Sequence, residues 1–354
     1  MLSTKLTKNF DSKNASIFIG LDVHLHKWSA TVLSEYSFIK TFSLDADHNG
    51  LINYIKNNHS GTEVTVAYEA GFSGFWLQRF LTDNEVGCIV VNPADIPSTN
   101  KDQLSKTDRH DSKRIALALR SGFLREIYVP TVKQQDLRSL NRERQRLSKE
   151  IGKIKCSIKS LLYYIGVPIP PEMKDSRTKR YLNWLKTLEL SSYTRISMDS
   201  KIAQYEVLRG SQLKIIKQIR IILNDYFAKE MEILRSVPGI GHTICYALIS
   251  EIGDIRRFKT CQSFISYIGL CPTEHSSGEK IKKGSITPRH NKNLRKLLVE
   301  SSWIAIRRDT GLLNSYTGYC RRMENNKALV RIARKIAIKI YYIWIKNKKY
   351  EVIK

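Results

Sequence analysis

The chain has 354 residues, and its 59 Lys+Arg against 33 Asp+Glu leave a formal net charge of +26 at pH 7. A hydrophobic content of 42% supplies buried cores and excludes a wholly disordered chain, while the length predicts about two domains. No apolar run reaches the ~18–20 residues of a membrane helix and the first sixteen residues hold no apolar signal core, so a cytoplasmic chain with no membrane partner is expected, its charge directed at DNA or RNA.

The first 130 residues predict an α/β domain. Ile17–Val23 (IFIGLDV) is a β-branched apolar run of central-strand type. Trp28–Leu33 and Phe38–Leu44 follow as an antiparallel meander. A helix is expected near Asp47–Asn58, a fourth strand at Val64–Tyr68, a helix at Phe75–Asp83 and a fifth strand at Val86–Val91. After the polar stretch Ser98–Lys106, another helix starts near Thr107 and carries Ile115, Leu117 and Leu119. This order matches the α/β ribonuclease-H-like (RuvC-like) fold.

Between Lys133 and Lys159 nine basic residues stand against three acidic ones, and Leu137, Leu140, Leu147, Ile151, Ile154, Ile158 and Leu161 recur at helical spacing. That is a long amphipathic helix with one apolar seam. Val167–Pro171 breaks it, and a second run near Ser200–Ala228 is positioned to pair back as an intramolecular hairpin or to join a dimerising coiled coil. Beyond Lys229 the chain is helical with denser Gly and Pro. Domains are therefore expected at 1–131, 132–228 and 229–354: an α/β domain of ribonuclease-H-like order, a mainly α connector and an α-helical C-terminal domain. The six cysteines (Cys88, Cys156, Cys245, Cys261, Cys271, Cys320) form no C-x-x-C pair and read as reduced packing residues.

Four carboxylates carry the chemistry. Asp22 ends the first strand and Glu69 the fourth, which are central neighbours in such a sheet. Asp108 and Asp111 sit at i and i+3 at the head of the next helix. Converging acids repel unless a cation lies between them, and hard oxygen donors suit magnesium or manganese. A metal pair ~3.5–4 Å apart serves phosphoryl transfer. Singly, each acid also fits a structural role, Asp108 as a helix cap above all. Lys106, Arg109, His110, Lys113 and Arg114 flank the pair and suit a phosphate backbone.

In the third region, Leu234–Asp254 (LRSVPGIGHTICYALISEIGD) has the helix-hairpin-helix pattern, whose Gly239 and Gly241 let backbone N–H groups approach a phosphate. Further on, Ser276-Ser277-Gly278 precedes Lys280, Lys282, Lys283, Arg289 and Arg295. That loop is either a basic linker or a nucleophile surrounded by cations; a serine hydroxyl needs a base or metal to activate it. Leu329–Ile345 alternates basic and apolar residues, as a core helix with a polar face or as a nucleic-acid-facing one.

These residues resemble a family. Asp22 in GLDVHLHKW, Glu69 in YEAGFSGFWL and Asp108/Asp111 in KTDRHD are similar to the DEDD domain of the IS110 insertion-sequence transposases and the related Piv/MooV invertases. VPGIGHTICYALISEIGD, FISYIGLCP, HSSG and NLRKLL are similar to that family's C-terminal domain. The resemblance implies a DNA transposase or site-specific recombinase with magnesium at Asp22, Glu69, Asp108 and Asp111. It implies Ser277 as nucleophile, with Ser276 as the alternative, a structured bridge RNA that pairs with target and donor DNA, and a dimer or tetramer. Glu279, Ser112 and His290 depart from the family pattern, at a usual Gly, Ala and Gly. Two other readings stand beside it: a RuvC-like structure-specific nuclease using metal-activated water, and a non-catalytic nucleic-acid-binding protein.

Overall fold

The structure is a computed structural model; it describes residues 16–98, 107–173, 178–274 and 283–351. The chain divides into two compact units, Met1–Val129 and Pro130–Lys354.

In the first unit β1 (Ile17–Val23), β2 (Lys27–Ser34), β3 (Phe38–Asp45), β4 (Val64–Glu69) and β5 (Gly87–Val91) form one sheet of order β3-β2-β1-β4-β5. β1 pairs antiparallel with β2 and parallel with β4, so the central strand is the one with the densest apolar run. Period-two alternation gives each strand two faces. Ile17, Ile19 and Leu21 of β1, Val64, Val66 and Tyr68 of β4, and Trp28, Ala30 and Val32 of β2 join one core with α1 (His48–Asn58) and α2 (Trp76–Asp83). The opposite face carries Phe18 and Ala67 against Ile115 and Leu119 of α3 (Asp108–Arg120).

Gly20 and Asp22 belong to that second face. A methyl group on Gly20 would overlap the Ser112 carbonyl and the Ala116 backbone of α3, so only glycine lets this helix lie so close to β1. The register pairs Gly20 with Thr31 and Asp22 with Ser29, which puts both hydroxyls beneath α3. There they meet Ser112, fully buried, whose Oγ lies 2.9 Å from Thr31 Oγ1 and 3.2 Å from Ser29 Oγ and donates to the Arg109 carbonyl at 3.1 Å. A serine at this buried position is therefore satisfied by the strand beneath it.

In the second unit α4 (Val132–Tyr164) pairs with α6 (Ser192–Tyr226), with α5 (Lys179–Thr187) between them in sequence. Lys201 Nζ donates to Ser157 Oγ at 2.8 Å, and Gln212 Nε2 to Ser148 Oγ at 2.7 Å. Partners thus advance on one helix as they retreat on the other, the signature of an antiparallel hairpin. The intramolecular alternative is the one observed: Leu137, Leu147, Ile151, Ile158 and Leu162 of α4 are buried within the chain. The outer end of the hairpin has its own small core, including Ile158, Tyr181, Met198 and Ile202. The inner end shares the large core of α7 (Ala228–Arg235), α8 (His242–Ile252), α9 (Cys261–Ile268), α10 (Lys292–Ala305), α11 (Thr310–Cys320) and α12 (Asn325–Lys346).

α8 is buried on every side from Cys245 to Ile252, a mostly apolar stretch that also takes Ser250 and Glu251 into the interior. α12 buries Leu329, Ile332, Ala333, Ile336, Ala337, Ile340 and Tyr341 at i, i+3 and i+4, so it is a core helix whose basic residues lie on its remaining face. β6 (Pro272–Glu274) and β7 (Lys283–Ile286) form an antiparallel pair at the ends of the 275–282 segment. The six cysteines are all free. Among the described residues no helix is long and apolar enough to cross a membrane.

Candidate functional site

The four acids line one cleft of about 320 Å3, together with Val23, His24 and the Ala70–Ser73 turn. The alternation of the sheet accounts for the convergence. Asp22 follows Gly20 by two residues and Glu69 follows Ala67 by two, so both carboxylates continue the face that carries α3. The start of α3 brings the other two. Thr107 caps it by accepting from the His110 N–H at 3.3 Å, which sets Asp108 and Asp111 in the first turn. Gly20 fixes how deeply α3 sits, and hence how near Asp111 and Asp108 come to the strand ends.

Within the cleft the acids divide into two pairs. His24 Nε2 lies 3.1 Å from Asp22 Oδ2 and 3.6 Å from Asp108 Oδ1. Arg114 Nη2 lies 3.3 Å from Asp111 Oδ1 and 3.7 Å from Glu69 Oε1. Burial pushes the Asp22 carboxyl above its ordinary value; Asp108 and Asp111 add to this, and His24 opposes it. Crowded anions that raise one another's proton affinity favour a cation between them. The donor set fits one: ligand atoms of Asp22, His24 and Asp108 all lie within 4.8 Å of one another, the span of groups on a single ion. His24 does not stand out in the sequence as a site residue, whereas Arg114, expected beside a phosphate backbone, faces Asp111 and Glu69. The signal for His24 is its place two residues past Asp22, at the turn between β1 and β2.

The candidate phosphate contacts distribute unevenly. Arg109 and Lys113 are exposed on α3, the Lys113 ammonium 5.6 Å from the Phe38 ring centroid. Lys106, Ser276, Ser277, Lys280 and Lys282 lie outside the described residues, as does the side chain of Lys283. Arg289 is exposed, whereas Arg295 is half-buried and donates to the carbonyls of Gly269 and Thr287 at 3.1 and 3.0 Å. Gly239 takes φ +86° and packs against α10, where an added Cβ would stand 2.6 Å from the Ser301 carbonyl. Gly241 begins α8 with no side-chain cap and open space where a Cβ would lie. These glycines, with Arg235 and Arg308, border a depression of about 490 Å3.

Sequence reasoning also missed a buried carboxylate. Glu251 is fully buried and accepts two hydrogen bonds from Arg142, at 2.8 and 2.9 Å, and one from Asn291 at 3.0 Å. Arg138 donates to the Ser250 and Glu251 carbonyls. Two of the connector's cations are thereby committed to holding α4 on α8.

Comparison with known proteins follows the same division of the chain. The family model of DEDD transposases of the IS110 type matches residues 19–166, and the model described as Transposase IS116/IS110/IS902 family matches residues 231–318. Similar proteins include the candidate transposase y4qE of Sinorhizobium fredii, 28% identical over 266 residues, covering 73% of this chain but 63% of that protein's length. A second from that organism, y4rJ, is 27% identical, with 92% of this chain and 91% of the relative covered. The transposase for insertion sequence element IS1111A of Coxiella burnetii is 27% identical over 301 residues, 79% of this chain and 77% of the relative. The chain belongs to the IS110 family of insertion-sequence transposases. That membership implies a DNA partner, DNA cutting and a divalent metal.

Proposed function

We propose that this chain cuts and rejoins DNA at the ends and target of its insertion element, with a RuvC-like, ribonuclease-H-like first unit as its metal-dependent centre. The observation that carries the reading is the convergence of Asp22, Glu69, Asp108 and Asp111 on one cleft, in a chain of this family. Magnesium or manganese held there would neutralise developing charge on a phosphodiester oxygen. Asp22 and Asp108 are the nearest acids to His24, while Arg114 steadies Glu69 and Asp111. Arg109 and Lys113, exposed on the same helix, suit the passing backbone.

Ser277 is the proposed nucleophile, with Ser276 as the alternative. Its oxygen attacks a DNA phosphorus, the bond to the 3′ oxygen breaks, and a phosphoserine-linked strand and a free 3′ hydroxyl result. A bridge RNA would choose the target by base pairing, leaving the protein to grip backbones. The Val237–Gly241 turn serves as the phosphate-binding hairpin of a helix-hairpin-helix, Gly239 letting it pack on α10, Gly241 leaving open space for a backbone and Arg235 and Arg308 supplying charge. A dimer or tetramer is the working assembly, and the domains act as 1–131, 132–228 and 229–354.

The test is a denaturing gel of labelled DNA after reaction with the full chain, guide RNA and magnesium. A protein–DNA adduct lost in Ser277→Ala is expected. Undiminished cleavage by that variant would remove the covalent step and favour a water nucleophile.

A further inference from the structure

We propose that His24 is itself a ligand of the divalent ion, beside Asp22 and Asp108, and that its imidazole biases this centre toward manganese over magnesium. The inference rests on the reading of the acidic cleft as a metal site and adds to it a residue and a selectivity.

Three observations support it. First, His24 Nε2 stands 3.1 and 3.6 Å from the two carboxylate oxygens. Neighbouring ligands on an octahedral ion with bonds of ~2.1 Å are separated by ~3.0 Å, so the three donors need little movement to share one. Second, the backbone at His24 is held in place. The Trp28 indole N–H donates to the His24 carbonyl at 3.1 Å, and Trp28 is itself 2% exposed, its ring centroid 6.2 Å from that of Trp76. The turn that carries the imidazole is thus tied to the core beneath the sheet. Third, the two halves of the cleft differ in kind. Glu69 and Asp111 face the Arg114 guanidinium, which has donors only and cannot ligate. The half with His24 offers a lone-pair nitrogen and two carboxylates, so that half would hold the ion.

The donor chemistry gives the selectivity. Magnesium prefers all-oxygen octahedra and keeps its waters, whereas manganese, which also takes carboxylates, is a first-row transition ion and accepts an imidazole nitrogen more readily than magnesium does. Of the two metals compatible with the acids, manganese is the one that benefits.

The experiment is a manganese titration of the full-length protein read by electron paramagnetic resonance, with pulsed detection of nitrogen coupled to the bound ion. Wild type is expected to show one bound ion with histidine nitrogen coupling. His24→Ala should lose the coupling and at least about tenfold in manganese affinity, as even outer partners of metal ligands carry about 10–100-fold. Its magnesium affinity, read by competition, should fall by less. His24→Gln serves as a second variant should the alanine form fold poorly, with circular dichroism as the check. Manganese bound by wild type without nitrogen coupling, or coupling that survives in the variants, overturns the role of His24 and leaves the carboxylate site standing. Absence of any bound manganese in wild type overturns both.

Discussion

Gly20 shows how a single residue sets the site. It stands two positions before Asp22, on the same face of β1, where any side chain would collide with Ser112 and Ala116 of α3. Gly20→Ala should cost about 1–3 kcal/mol by overpacking, seen as a lower Tm, and should weaken metal binding by lifting Asp108 and Asp111 away. Unchanged stability would mean that α3 is not seated by this glycine. Ser112 tests the hydroxyl cluster beneath the helix. Ser112→Ala removes a partner of Ser29 and Thr31; Thr31 keeps Thr41 at 2.8 Å, but Ser29 loses its hydroxyl bond. A loss of about 1 kcal/mol is expected in a denaturant melt, and Ser29→Ala added to it should bring back part of that loss. At this scale the four acids were legible from the sequence because strand ends and a helix head are local signals. His24 was not, and Arg114 read as a phosphate contact and not as a partner of Glu69 and Asp111, because both pairings depend on strands and a helix distant in sequence.

The helices of the second unit were legible as elements because their seams repeat every three or four residues. Their partners were less so. The hairpin or coiled-coil alternative for Lys133–Phe227 needed the Lys201–Ser157 and Gln212–Ser148 bonds to decide it, and neither follows from periodicity. The Glu251 clamp joins residues 109 apart in sequence, so no local pattern announces it. Glu251→Ala should destabilise the second unit by about 3 kcal/mol, the low end for a broken buried pair because Arg142 can rehydrate. A change below about 0.5 kcal/mol in a thermal melt would contradict the clamp. Asp309 supplies a pH signature. Burial pushes its carboxyl up, but Tyr350, the Leu312 N–H and Lys339 outweigh this and hold it below the ordinary value. An acid so depressed stabilises the fold above its unfolded value near ~3.9, and that stability is lost as pH falls through the lower folded value. Asp309→Asn should therefore lose less Tm than wild type on acidification through that range.

Across the whole chain the excess of +26 is not uniformly available to a nucleic acid. Arg138 and Arg142 hold α8, Arg144 donates to Asn141, Arg146 pairs with Glu143 and Lys153 with Glu150. The connector is basic in sequence, but part of its charge is engaged within the fold. Arg109 and Lys113 on α3, and Arg235 and Arg308 beside the Gly239 turn, are better placed for phosphates. DNA affinity should fall steeply with salt, and Arg235→Ala with Arg308→Ala should weaken it on all sequences and flatten the slope by about one for each phosphate no longer gripped. Whether the acidic cleft cuts DNA with a divalent ion is read from magnesium-dependent cleavage of supercoiled DNA carrying the element ends, with guide RNA present. Wild type should nick or join this DNA, and Asp22→Asn and Asp108→Asn should each abolish the reaction while still binding the DNA. Cleavage by either variant at the wild-type rate, or wild-type cleavage that persists in chelator, would mean that the acidic cleft is not a metal-dependent cutting centre.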